Sequence, residues 1–340
     1  MKFVSHFSYI VVAMLSLSPA NGVEPRELLL IHTGPPGSLY EISAREFARR
    51  VNGRLPEAYK IEVMGDTDLG DGPALLAKLA KEEAIFALPS AAMTSVSDNF
   101  AIFELPFLIR NRAQIRKIRG ALLASHLQPE AELKGLHVLG IWESGFRHFT
   151  NSVRRIDRPR DLEGLKFAVP ANSWREKVLQ AFGAEPVPMA ARAVRDALRT
   201  RIVDGQEAPL VELHTGRFVE LQRHLALSDH LYSPAYLVTR KAAFDNLPPP
   251  VRAIIAAEAK AMERWIYDTA VEMESELIDQ LDQRMKVTHI DAEAFKAASR
   301  PIYGEFARAV RGGAKMIEIV EALDDVTPSG GPGKEAAGRR

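Results

Sequence analysis

Leu136-His137-Val138-Leu139-Gly140-Ile141-Trp142-Glu143-Ser144-Gly145-Phe146-Arg147-His148-Phe149-Thr150-Asn151 is one unbroken extended stretch, and its length sets the expected architecture. A mean strand runs about 5–6 residues, so a stretch this long crosses from one packed unit to another. A second long run, Ala226 to Thr239, contains Tyr232-Ser233-Pro234-Ala235-Tyr236 and supplies the return path. Pro234 removes a ladder donor and favours a bend there. Two such crossings make a hinge between two lobes. The chain has 340 residues, which at roughly 150 residues per domain accommodates both.

Upstream of the first crossing, strand and helix signals alternate. Leu28 to Ile31 is a short apolar run ending in His32-Thr33-Gly34-Pro35-Pro36-Gly37, a buried strand followed by a loop. Ser38 is placed to cap a helix whose Tyr40, Ala44, Phe47, Ala48 and Val51 share one face before Gly53 ends it. Lys60 to Met64 alternates as a strand, Asp71-Gly72-Pro73 opens a helix through Leu79, and Ala84 to Leu88 is again strand-like. Alternation of this kind predicts an α/β fold with a largely parallel sheet, and ligand binding beyond the strands' carboxyl ends.

Downstream of the second crossing, Pro248-Pro249-Pro250 starts a helix. Val251, Ile254, Ile255, Ala259, Met262, Trp265, Ile266, Met273, Leu277 and Leu281 keep a 3.6 period to about Arg284. A coiled-coil strand is the competing reading, but strict heptads are not sustained, so the expectation is a brace lying along both lobes. At the amino end, Lys2, the apolar Tyr9 to Leu17 and Ser18-Pro19-Ala20-Asn21-Gly22 fit the three regions of a signal peptide. An uncleaved anchor is the alternative; the run is about half the 20 apolar residues a spanning helix needs. The expected organisation is a signal peptide at 1–22, lobe I from 24–145 plus 234–273, lobe II from 146–233 plus 274–326, and a disordered tail at 327–340.

Composition narrows the function. Apolar residues make up 46% and charged residues 26%, and 44 basic side chains balance 44 acidic ones. Zero net charge argues against a nucleic-acid binder, which carries a basic face. The chain has no cysteine, so thiol catalysis, disulfides, cysteine zinc sites and a lipidated amino-terminal cysteine are excluded. No His-Glu-x-x-His, Gly-x-Ser-x-Gly or phosphate-binding Gly-rich loop is present. Glu143, Asp204 and Glu207 are the acids from which a catalytic pair would have to come, but spacing alone gives them no geometry. The expectation is a binding protein and not an enzyme, with no cofactor and no metal site.

Several motifs occur in order: Gly145-Phe146-Arg147-His148-Phe149-Thr150-Asn151, then Asp161-Leu162-Glu163-Gly164-Leu165-Lys166, Gly183-Ala184-Glu185-Pro186-Val187-Pro188-Met189, Ala197-Leu198 and Val203-Asp204-Gly205-Gln206-Glu207. Leu69-Gly70-Asp71, Glu104-Leu105-Pro106-Phe107-Leu108 and His230-Leu231-Tyr232-Ser233-Pro234-Ala235-Tyr236 support them. In these the chain resembles the DctP-like substrate-binding proteins of tripartite ATP-independent periplasmic (TRAP) transporters, over nearly all its length. The resemblance implies a two-lobed periplasmic-binding-protein fold that closes on an organic acid. It also implies residence in the periplasm as a monomer that does not itself span the membrane once processed. Delivery is then to a small and a large TRAP membrane subunit, driven by an ion gradient and without ATP. The alternative from another class is a sensing or interaction protein that keeps the fold and docks on a periplasmic receptor domain.

The resemblance also implies ligand-facing positions. The family's carboxylate-binding arginine in Gly-Leu-Lys-x-Arg-Val-Pro falls on Ala168, and the asparagine of Gly-Gln-Glu-Asn-Pro falls on Ala208. Ala171 and Ala191 fall on two further pocket positions. Arg147 matches the family's other ligand-facing arginine, although pairing with Glu143 or a carbonyl is its competing role. Asn151, Asn172 and Trp174 join it as candidate ligand-binding residues. Gln206 and Glu207 are candidates too, with orientation of the crossing strand as the alternative. Trp142 and Phe149 are expected in the core. Alanine at 168 and 208 leads to the expectation of a roomier, less polar cleft, suited to a larger or less acidic ligand than small carboxylates.

Overall fold

The computed structural model describes residues 25–65 and 69–324. The leader read at 1–22 and the tail read at 327–340 lie outside the described residues. The strands are β1 (Arg26–His32), β2 (Tyr59–Gly65), β3 (Phe86–Ala87), β4 (Leu136–Asn151), β5 (Lys166–Val169), β6 (Glu185–Pro188), β7 (Gly205–Pro209), β8 (His224–Arg240) and β9 (Lys286–His289). They form one sheet in the order β2-β1-β3-β8-β4-β7-β5-β6, with β9 also pairing β8.

The two long strands are the middle of the molecule. β4 and β8 run antiparallel from Leu136 opposite Arg240 to Asn151 opposite His224. One end of this ribbon carries β1, β2 and β3, and the other carries β5, β6 and β7. Within each flank the pairing is parallel. The expectation of a largely parallel sheet therefore holds in each lobe and fails at the centre, where β3–β8, β8–β4 and β4–β7 are all antiparallel. A chain that crosses to the second lobe and returns beside its own path pairs antiparallel.

Pro234 does not break β8, which is continuous from His224 to Arg240. The irregularity lies opposite, where register slips between Glu143 and Gly145. Gly145 takes φ +127°, and a Cβ there would stand 2.9 Å from the Cβ of Pro209. Only glycine adopts that backbone without strain. The kink separates Glu143 and Ser144 from Arg147, so neighbours in sequence serve different clusters.

Local signals position the helices. Ser38 Oγ accepts from Glu41 N at 3.3 Å at the start of helix Leu39–Asn52, and Asp71 Oδ1 accepts from Ala74 N at 3.2 Å ahead of Gly72–Ala80. The brace is helix Pro249–Asp282. Its apolar face buries Val251, Ile255, Ala259, Met262 and Ile266, the four larger side chains each worth about 1.5–3 kcal/mol of apolar burial. It is pinned to the crossing strand by Trp142 Nε1 to Ala259 O at 3.0 Å, Ile141 N to Glu263 Oε1 at 3.0 Å and Tyr267 Oη to Ile141 O at 2.6 Å. It touches helix Leu39–Asn52 of the first lobe and helix Leu210–Thr215 of the second. The last helix, Gly313–Glu321, returns to the first lobe, where Gln114 Nε2 donates to Val320 O at 2.9 Å. Trp142 and Phe149 are fully buried. No helix of the described residues is long and apolar enough to cross a membrane.

Candidate functional site

Arg147 on β4 is where the candidate residues converge. Its side chain is half-buried beside Glu207 on β7: Nε donates to the Glu207 carboxylate, Nη2 to the Glu207 carbonyl, and Nη1 to Ser233 Oγ at 3.2 Å. Of the competing role, pairing with Glu143 or a carbonyl, the carbonyl contact is present, to Glu207 O, and the Glu143 pair is not. Burial pushes the Glu207 carboxyl up, but the guanidinium groups of Arg147 and Arg175 outweigh it and hold the group below its ordinary value. His230 stacks on Phe149 with ring centroids 3.9 Å apart, and its Nε2 lies 3.7 Å from Glu207 Oε2. Burial pushes this imidazole down to about 3 despite the opposing pull of Glu207, so His230 is neutral.

A second guanidinium, unforeseen from the sequence, completes the cluster. Arg175 is 2% exposed. It forks onto Glu104 with Nε to Oε2 at 2.7 Å and Nη2 to Oε1 at 2.8 Å, and Nη1 reaches Glu207 Oε1 at 3.1 Å. The result is an alternating chain, Arg147–Glu207–Arg175–Glu104, with two cations and two anions. Helix Ser173–Ala181 carries Arg175 in its first turn, the positive end of a helix dipole, where a cation is disfavoured. A buried arginine there requires a carboxylate, and that conflict is the signal available in the sequence.

Asn172 is the N-cap of this helix: its Oδ1 accepts from Trp174 N at 3.0 Å and Arg175 N at 3.3 Å. Its Nδ2 faces the first lobe, 3.4 Å from Glu104 Oε1 and 3.5 Å from Ala91 O. Trp174 Nε1 donates to Asp98 Oδ1 at 3.0 Å. Asn172 and Trp174 therefore stand at the lobe boundary, and Asn172 meets the arginine cluster at Glu104.

The other candidates stand elsewhere. Gln206 donates to Thr150 Oγ1 at 3.3 Å and ties β7 to β4, the orienting one of its two expected roles. Asn151 sits apart, four residues or roughly 13 Å along β4 from Arg147. Its Oδ1 accepts from Val153 N and Arg154 N, both at 2.8 Å, and closes the turn after the strand. Ala168 lies opposite Gln206 on β5 and packs with Ala197, Leu198 and Val203. Ala208 is buried in the main core opposite His148. Period-2 alternation puts Ala168, Gln206 and Ala208 on one face of the sheet and Glu207 with Phe149 on the other. Both alanines pack among apolar residues, and the buried polar groups described here come from other positions.

One further polar group was not foreseen. Ser144 Oγ donates to Glu212 Oε1 at 2.7 Å. Tyr40, from the first lobe, hydrogen-bonds Ser144 and Ser90, and its phenol is pushed up to about 12 by burial first and by Glu212 second. An arc of hydroxyls and one carboxylate thus faces the same lobe boundary. One residue before Ser144 on β4, Arg112 grips Glu143 through Nε at 2.9 and 3.1 Å and also pairs with Glu274 at 2.8 Å. Burial pushes Glu143 up to about 7 against the pull of Arg112, with Glu274 adding to the rise.

Residues 30–309 match the family model for bacterial extracellular solute-binding protein, family 7 (DctP). The chain is similar to the 2,3-diketo-L-gulonate-binding periplasmic protein YiaO of Escherichia coli K12, 29% identical over 83% of this chain and 87% of the relative. It is 31% identical to a solute-binding protein of Verminephrobacter eiseniae, over 77% and 79% of the two chains. Among solved structures, a TRAP periplasmic solute-binding protein of Polaromonas bound to D-erythronate aligns with a TM-score of 0.82 at 29% identity, covering 88% of this chain and 99% of that one. A sugar-acid-binding protein of Advenella mimigardefordensis in complex with galactonate aligns at 0.83 with 25% identity, covering 89% and 100%.

Proposed function

The chain belongs to family 7 of the bacterial extracellular solute-binding proteins, the DctP family, and on that premise we propose that it captures a small hydroxylated organic acid in the periplasm. It then delivers the acid to the small and large membrane subunits of a TRAP transporter. The observation that carries this reading is the setting of Arg147. A guanidinium has five N–H donors, and Glu207 and Ser233 engage only three of them, which leaves the rest to fork onto a ligand carboxylate. Tyr40, Ser144 and Glu212 supply acceptors for ligand hydroxyls on the facing side. A second ligand carboxylate would meet Glu212 and be repelled, so the reading favours monocarboxylates over dicarboxylates. D-erythronate and galactonate, held by the two similar structures described above, agree with that preference, whereas other similar structures hold succinate.

In this account the protein acts as a monomer and by closure alone, without covalent chemistry. Lobe I comprises 25–145, 234–273 and the returning 313–324, and lobe II comprises 146–233 and 274–312. Ligand bound between them completes contacts that only the closed form offers and shifts the population by that difference. The test is thermal unfolding of the mature chain with D-erythronate, galactonate, 2,3-diketo-L-gulonate and succinate. A ligand at about 100 times its Kd adds about 2.7 kcal/mol and raises the midpoint by several degrees. Stabilisation by hydroxy monocarboxylates and not by succinate is expected. Stabilisation by none of the acids would overturn the reading.

A further inference from the structure

We propose that Arg175 is a positioning residue that couples lobe closure to the ligand-facing arginine without itself touching ligand. The inference rests on the solute-binding reading above. Three side chains at the start of helix Ser173–Ala181 leave the second lobe and end on the first: Asn172 on Ala91 O, Trp174 on Asp98, and Arg175 on Glu104. The Arg175–Glu104 fork is buried at both ends, with side-chain exposures of 3% and 4%. Lobe separation breaks all three contacts at once, so they contribute only to the closed form.

Arg175 also reaches the site from the other side. Glu207 splits its carboxylate, giving one oxygen to Arg147 and the other to Arg175. When the lobes close, Glu104 takes the fork of Arg175, Arg175 fixes Glu207, and Glu207 fixes the orientation of Arg147. A bidentate contact to a ligand carboxylate needs that orientation. Opening frees Arg175 to swing, and the Glu207 carboxylate that orients Arg147 loses its second anchor. Closure and carboxylate capture are thereby one event, and residence time depends on a residue remote from the ligand.

The test compares Glu104→Gln, Arg175→Gln, the double variant and Trp174→Phe by stopped-flow binding of D-erythronate and by X-ray scattering. Glu104 has no contact with Arg147, so its effect runs through closure alone. Dissociation is expected to speed up about tenfold in Glu104→Gln and in Arg175→Gln, with association little changed, and the double variant should be no faster than either single one. Trp174→Phe keeps the ring and loses one bond, and a few-fold increase is expected. Scattering without ligand should show each variant more expanded than the parent. If Arg175→Gln does not fold, Glu104→Gln and Trp174→Phe carry the comparison. Lower melting temperatures with unchanged dissociation and unchanged compactness would overturn the proposal. A parent protein that binds no acid would sink the function reading instead, while the scattering comparison would still decide whether these contacts hold the lobes together.

Discussion

Two buried charge clusters flank the kink at Gly145, and they differ in balance. On one side Arg112 serves two carboxylates, Glu143 and Glu274. On the other, Arg147 and Arg175 alternate with Glu207 and Glu104. The unbalanced cluster can relieve itself by taking up a proton, because a buried carboxyl held at about 7 is readily neutralised. The balanced one cannot, since guanidinium groups do not shed their charge in proteins. The first braces the crossing strand against the long helix. The second keeps a fixed positive group beside the place where an anion is expected.

This contrast is most exposed by removing the shared anion. Glu207→Leu leaves two buried guanidinium groups without their bridge and should cost about 3–5 kcal/mol in urea unfolding, at every pH. Arg112→Leu leaves carboxylates that can protonate, so its cost should be small near pH 5 and grow to a few kcal/mol toward pH 8. A flat pH dependence for Arg112→Leu would erase the distinction. Between them in place and next in size, Gly145→Ala forces a side chain into φ +127° and should cost about 1–3 kcal/mol by thermal melting.

The pH dependence of the unmodified protein sharpens the same comparison. Glu143 has a folded value of about 7 against an ordinary 4.5. Its contribution to stability is therefore complete below 4.5 and lost as pH rises through 7. His230 has the opposite sense. Its folded value of about 3 lies below the ordinary 6.5, so stability is present above 6.5 and lost as pH falls toward 3. Glu143→Gln should flatten the melting curve between pH 4.5 and 7, and His230→Gln should flatten it between 6.5 and 3. The smallest effect belongs to Ser144→Ala, which removes the donor to Glu212 and should cost about 1 kcal/mol, read as a few-fold weaker affinity for a hydroxy acid.

Much of the frame was legible because it rests on local signals. Two overlong apolar runs gave β4 and β8, a 3.6 period after three prolines gave the brace, and Ser38 and Asp71 marked helix starts that the structure keeps. Strand direction at the centre was not legible. β4 and β8 are buried on both faces along nearly their whole length, so their sequences lack the alternation that marks a half-exposed antiparallel pair. Arg147 and Glu207 were found as a pair of candidates, but Arg175 was missed because its partner Glu104 lies 71 residues earlier in the chain. Asn151 looked like a ligand contact because it ends the same motif, yet at the strand's far end it closes a turn. Ala168 and Ala208 were read as lost polar contacts, and each packs among apolar neighbours that spacing alone did not identify.

The central claim is that Arg147 reads the ligand carboxylate by a fork that Glu207 orients. Calorimetric titration of D-erythronate into the mature protein and into Arg147→Lys tests it most directly. Lysine keeps the charge but offers no planar fork, so the account predicts affinity reduced by roughly a hundredfold with the fold retained. Equal affinity in the two proteins would contradict it, and would mean that the acid is held elsewhere in the cleft.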